Sequence, residues 1–338
     1  MPGKTISEKI LSTKSGRDAR AGDVVICRVD CAMGTDGSVP MALDYFAAMG
    51  GQRVFALDRV VFALDHYGGD GPTAALHRRV RDFATAQGIR VWEVGEGIGH
   101  QLILEQGLAK PGDLVLGADS HAVTYGAVNA FATGIGSSDL AAILVGGEIW
   151  LRVPESIQVT LTGEFPPGVS AKDAALALAR ELGADGATYQ ALEFGGIELP
   201  LDDRIVLANM SVEMGAKNGI FPAALRPDPD ARYAREIHLA LDSLTPQVAL
   251  PHRVDNVAPV AEAAGTPIQM VYLGTCTGGR ASDYHEALRV LEAGGGPAAG
   301  VELVVVPASR AVLDTLTADG TIAAFEGMGA KVGAPGCG

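Results

Sequence analysis

Short runs of Val, Leu and Ile alternate along the chain with longer Ala-rich stretches whose apolar positions recur at helical spacing. The short runs predict strands over 23–29, 53–57, 90–94, 114–116, 156–161, 269–273 and 302–306. The longer stretches predict helices over 73–87, 139–151, 171–182, 283–291 and 311–318. Alternation of this kind is the mark of βαβ units, so the expected class is α/β with layered domains. Ser170, followed three residues later by Asp173, has the form of a capping box and marks one helix start. A fresh strand begins after Pro154, which reads as a domain seam, and residues 245–256, with two prolines, read as a linker. There is no solenoid-period repeat and no low-complexity tract.

Composition narrows the class. The chain has 338 residues, 48% of them hydrophobic, enough for two or three domains with their own cores. A formal charge of −14 argues against a nucleic-acid surface or a membrane surface as partner, while leaving room for an acidic substrate in a locally basic site. The first sixteen residues hold no apolar h-region, and the run 140–151 is interrupted by Gly146, Gly147 and Glu148, so neither a signal peptide nor a spanning helix is expected. Four cysteines without an export signal fit a reducing, cytoplasmic setting, where thiols serve metals or chemistry more than disulfides.

The chemistry-bearing residues gather in glycine-bounded loops. Asp65-His66 and Asp119-Ser120-His121 each follow an apolar strand-like run, and His100 follows Gly97-Ile98-Gly99. Loops at the carboxyl ends of strands are where α/β proteins place their sites, and an Asp beside a His can orient an imidazole as a general acid. A single loop histidine is more often structural; three in one design shift the balance. A Ser-His-Asp hydrolase is a poor fit, since consecutive side chains seldom converge and no G-x-S-x-G elbow is present. Gly134-Ile135-Gly136-Ser137-Ser138 before an apolar helix could bind an anion but reads first as an N-cap; it lacks nucleotide-loop spacing. Cys276, in Gly274-Thr275-Cys276-Thr277-Gly278-Gly279-Arg280, and Cys337, in Pro335-Gly336-Cys337, sit in loops of the sort that hold iron–sulfur clusters; the plainer alternative is two inert thiols. Cys27 is expected in the core, and Cys31 to open a loop.

Taken together, these segments resemble the aconitase superfamily, in particular isopropylmalate dehydratase and homoaconitase large subunits. The likeness rests on GADSHAVTYGAVNAFATGIGSSDLA, YLGTCTGGRASD, LANMSVEMGAKNGIFP, GIGHQLILEQGLAKPGD and LTPQVALPHRVDNVAPV, which run in family order. The resemblance implies three-layer α/β/α domains at 1–154, 155–250 and 251–338, and a 4Fe-4S cluster with one iron open to substrate. Carried over residue by residue, Cys276 and Cys337 match cluster ligands; Asp65 and His66 match the acid pair; His100, Asp119 and His121 match site residues. Thr35, Asp36, Ser120, Asn209 and Glu213 match positions around the substrate. Arg280 is either a carboxylate-binding residue or a surface charge at a strand end.

Gly278 stands where relatives carry Asn, and Ala122 where they carry Thr. The family's second and third cluster Cys form a C-x-x-C pair, so the third, three positions after the second, has no counterpart up to residue 338, and nothing in the spacing supports Cys31 in its place. The third domain is therefore expected to be cut short. The competing expectation is a non-catalytic aconitase-like subunit or regulator. The implied reaction is removal and re-addition of water on a small 2-hydroxy di- or tricarboxylic acid, with His66 as acid. The base is implied to be a Ser on a swivelling domain carried by a separate small subunit.

Overall fold

The computed structural model describes residues 3–337. Its first unit is built on a five-stranded parallel sheet in the order Arg90–Trp92, Val60–Ala63, Cys31–Thr35, Leu114–Ala118, Phe131–Gly134. The chain starts in the middle strand, winds to one edge, then jumps back to build the other half. This places a topological switch point between Cys31–Thr35 and Leu114–Ala118, where ligands bind open α/β sheets. Helices cover both faces. Ala32, Phe62 and Leu116 pack with Val39, Phe46, Val80 and Leu140 on one side; Met33, Val61 and Val115 pack with Leu102, Ile103 and Tyr125 on the other. Gly34 in the middle strand is required there, since a Cβ would lie 2.4 Å from Val39 and 2.9 Å from Leu140.

The second unit has a four-stranded parallel sheet, ordered Asn218–Ile220, Ala191–Gly195, Ser156–Thr162, Arg235–Ala240. Its helix Ala171–Leu182 begins with the expected capping box: Ser170 Oγ accepts from Lys172 N and Asp173 accepts from Ser170 N at 2.7 Å. The third unit is a three-stranded parallel sheet, Met270–Leu273, Glu302–Val305 and Lys331–Val332, over a small core around Tyr284, Val305 and Phe325. The layered α/β/α class is as expected.

Two contacts lock the first two units. Buried Glu193 accepts from Ile6 N (3.0 Å) and Ser7 N (2.9 Å), placing a carboxylate at the N-terminus of helix Ile6–Ser15, where the helix dipole favours it. The 3-10 segment Ser120–Val128 lies so close to the second sheet that a Cβ on Gly126 would sit 1.8 Å from Gly219 O.

Several local expectations give way to tertiary structure. Residues 53–57 form no strand: only Val54 is buried, and the backbone bonds go to Gln87 and Leu144 instead of a neighbouring strand. The helix expected over 139–151 spans Ser137–Gly146, where Gly147 at φ 70° ends it. The following Glu148–Arg152 is an alternating strand paired antiparallel with Val24–Arg28. Cys31 does not open a loop but begins the fully buried middle strand. Residues 245–256 are not a free linker: Gln247–Ala249 pairs with Val257–Pro259, and Ala249, Val254 and Val257 pack on the second core. Among the described residues no helix is long and apolar enough to cross a membrane.

Candidate active site

Parallel strands point their carboxyl ends the same way, so the loops after Thr35, Ala63, Trp92 and Ala118 open on one edge. That edge carries Asp36, Asp65, His66, His100, Asp119 and His121. His66 Nδ1 lies 2.8 Å from Asp65 Oδ1, and its Nε2 lies 3.3 Å from Asp119 Oδ2. Asp65 is itself fixed by Gly99 N at 2.8 Å. His100 Nε2 approaches the other oxygen of Asp119 at 2.8 Å, while its Nδ1 meets the hydroxyl of Tyr125 at 2.8 Å. His121 donates its backbone N–H to Asp119 and sets its ring 3.2 Å from Glu213.

The electrostatics follow from this web. Hydrogen bonds with Asp119 and then Asp65 push His66 up to about 11, against the opposing effect of burial. Burial alone raises Asp119, but the His100 and His66 contacts overcome it and hold the carboxyl well below its usual range. Burial pushes His121 down; Glu213 beside it reverses the sign and leaves it raised. The cleft thus holds a cationic imidazole between two carboxylates.

A second wall comes from the other two units. Cys276 and Cys337 hydrogen-bond one another, and both pack against Ile98 and Ala308. That contact lowers the Cys276 thiol and raises Cys337; burial opposes the first and adds to the second. Asn209 Nδ2 donates to Cys276 Sγ at 3.2 Å and to Thr124 at 2.8 Å, and its Oδ1 accepts from Thr277. The cysteine loop is strained at Thr275, whose φ is 72°. Cys337 N donates to Asp65 O at 2.8 Å, tying the thiol wall to the acid pair.

Not every expected residue faces the cleft. Arg280 is not a surface charge. It is 3% exposed, and its guanidinium donates to the carbonyls of Cys276 (3.1 Å) and Thr277. Asp36 is wholly buried behind the acid pair, where it accepts from His66 N, Tyr67 N and His77. Thr35 is also buried, paired with Ser38. Ser120 is exposed and forms one wall of a cavity of about 540 Å³ that also touches Ile135, Trp150 and Lys217. Gly136 N bonds Asp139, so the glycine segment before that helix is capped by its own chain. Tyr125, Thr124, Thr277 and His77 were not singled out by sequence. Tyr125 and Thr124 lie inside the quoted DSHAVTYGA block, but His77 carries no motif signal.

The donor set can be tested against possible metals. Asp36, Asp65 and His66 bring ligand atoms within 4.8 Å of one another, yet every carboxylate oxygen there already accepts from a protein donor. The paired thiols Cys276 and Cys337, in a glycine-rich loop with an amide donor at sulfur, fit an iron–sulfur group. The other two thiols are elsewhere: Cys27 contacts Leu11 O, and Cys31 is at the amino end of its strand, the far edge of the sheet. Cys31 is thereby removed as a substitute ligand.

The switch-point loops of the first sheet present a His–carboxylate relay opposite a pair of thiols, an arrangement suited to acid–base chemistry beside an iron–sulfur group. The model of the aconitase family (aconitate hydratase) matches residues 8–224 and 261–338, and the chain belongs to that family. It is 44% identical over 359 residues to 3-isopropylmalate dehydratase large subunit 1 of Methanopyrus kandleri, covering 99% of this chain and 86% of that protein. It is likewise 44% identical over 360 residues to the homoaconitase large subunit of Thermus thermophilus, covering 99% and 84%. Among solved structures, the holo-form of Thermococcus kodakaraensis aconitase X aligns with TM-score 0.61 at 14% identity, covering 98% of this chain and 83% of that one, a likeness of fold alone. Family membership makes the chain a hydro-lyase subunit and implies an iron–sulfur cluster.

Proposed function

We propose that this chain is the large subunit of a dehydratase acting on a small 2-hydroxy di- or tricarboxylic acid, of isopropylmalate, homocitrate or related malate type. The observation that carries the reading is the convergence of Asp65, His66 and Asp119 with Cys276 and Cys337 on one cleft. Cys276 and Cys337 would hold a 4Fe-4S cluster, which supplies Lewis acidity to a departing hydroxyl. The protein's own part is proton handling and placement. Asp65 orients the His66 ring through Nδ1, leaving the Nε2 proton on the cleft side, parked against Asp119. An imidazole held at about 11 is a reluctant acid. Substrate must loosen the Asp119 contact before His66 can protonate the leaving oxygen, so His100 and His121, which hold Asp119 from the other side, set how readily it yields.

The domain division offered for this chain keeps the seam after Pro154 and moves the second boundary past Pro259, because the hairpin packs on the second core. The four unpaired thiols accord with a reducing, cytoplasmic setting. The partner is a small swivel-domain subunit, since the relatives named above are large subunits. A non-catalytic aconitase-like subunit is the competing reading, favoured by the presence of only two thiols at the cleft among the described residues. Anaerobic reconstitution with iron and sulfide, followed by assay of hydration of unsaturated di- and tricarboxylates with candidate small subunits, separates the two. Turnover supports the dehydratase. A cluster-loaded, partner-saturated complex that hydrates none of them refutes it.

A further inference from the structure

We propose that His77 is a positioning residue: its Nε2–H clamps the buried carboxylate of Asp36, which in turn fixes the backbone of the His66 loop. The proposal deepens the functional reading and rests on it for its kinetic part. His77 lies in helix Thr73–Gln87, where its spacing in the sequence gives only an inward-facing polar residue. The structure buries both partners completely, with Nε2 at 2.9 Å from Asp36 Oδ2. The same oxygen accepts from Tyr67 N at 3.0 Å, and Oδ1 accepts from His66 N at 3.2 Å. Two consecutive backbone N–H groups of the His66 loop therefore end on one carboxylate, and among the described residues the one side chain hydrogen-bonded to that carboxylate is His77, the His66 ring standing farther off at 3.7 Å.

The tautomer follows from what surrounds the ring. His77 Nδ1 is buried and has no partner among the described residues. A proton on Nδ1 would be a buried donor without an acceptor, which is more costly than a bare lone pair. Nε2 is therefore the donor nitrogen. The loop also closes over the ring: a Cβ on Gly69 would fall 2.6 Å from Nδ1, so glycine, here at φ 76°, is needed for the loop to pack against the imidazole. Remove the donor, and a fully buried carboxylate loses one of its three partners; it can recover only by turning, which drags His66 N and Tyr67 N with it. His66 Nε2 must meet Asp119 at 3.3 Å, so a shift of this loop is felt at the reacting proton.

The test uses the full chain and its holo-complex. Long-range proton–nitrogen correlation on nitrogen-labelled protein is expected to show His77 protonated at Nε2 alone; an Nδ1–H tautomer or a doubly protonated ring overturns the assignment. His77→Gln keeps an N–H donor where Nε2 was, whereas His77→Leu keeps bulk without the donor. The His66 ring signals are expected to move in His77→Leu and stay in place in His77→Gln. In the reconstituted complex, His77→Leu should lower kcat roughly 10- to 100-fold, with KM near wild type, and His77→Gln should restore most of it. Equal loss in both variants, or wild-type kcat and unmoved His66 signals in His77→Leu, sinks the proposal. If the wild-type complex itself hydrates nothing, the functional reading fails, while the His66 signals still decide the positioning role.

Discussion

His66 and Asp119 meet across the crevice of the first sheet, Nε2 to Oδ2 at 3.3 Å, although they come from strands separated by the middle strand Cys31–Thr35. The contact raises the imidazole and, together with the His100 bond, holds the carboxyl low. On the proposed function, the pair would hold a proton until substrate displaces it.

Replacing the imidazole should therefore abolish most turnover while sparing the thiol wall. His66→Ala is expected to lower kcat by roughly two to four orders of magnitude, the usual size of general acid catalysis, with the visible absorption of a reconstituted cluster unchanged. Retained activity would make His66 structural and move attention to His100.

The same contact predicts how stability varies with pH. His66 is raised from 6.5 to about 11 in the folded chain, so its stabilising contribution is whole below pH 6.5 and is lost as pH rises through about 11. The difference in urea midpoint between wild type and His66→Gln should be largest near pH 6 and close steadily toward pH 11. A difference that grows over that range contradicts the sign.

Much of this site was legible in the sequence because it is local. Asp65-His66 and Asp119-Ser120-His121 follow strand ends and Gly99-His100 opens the helix after Arg90–Trp92, and parallel strands bring such connections to one edge whatever their order. What sequence could not show was direction and depth. Arg280 and Asp36 belong to motifs, but only packing shows that they are buried behind the residues they serve. His77 and the middle strand were missed for the same reason. A buried histidine in an amphipathic helix has no local mark, and Cys31-Ala32-Met33-Gly34-Thr35 has little strand propensity until both its faces are covered.

The thiol wall gives a sharper contrast. Cys276→Ser and Cys337→Ser should each lower iron bound per chain after anaerobic reconstitution, whereas Cys31→Ser, at the opposite edge of the sheet, should not. Arg280→Met should behave like the cysteine variants, since it leaves the carbonyls of Cys276 and Thr277 without their donor and frees the loop, at a cost of about 1–3 kcal/mol. A rise in KM with iron binding intact would return Arg280 to the substrate.

The last prediction concerns the open side of the cleft. The acid relay and the thiols are placed by the three units described here, but the family resemblance puts the residue that removes the carbon-bound proton on a swivelling domain. The relatives at 44% identity are named large subunits, so that domain is expected on a separate small protein. Its docking over the loops of Asp65, His66, Asp119 and Cys276 would exclude water and complete the proton path, as gating domains do. The large subunit alone should then show no hydration of unsaturated di- or tricarboxylates even with its cluster in place. Adding purified candidate small subunits should restore turnover, saturating at one partner per chain. Full activity of the large subunit without any partner would overturn the two-subunit reading and require the base to come from this chain.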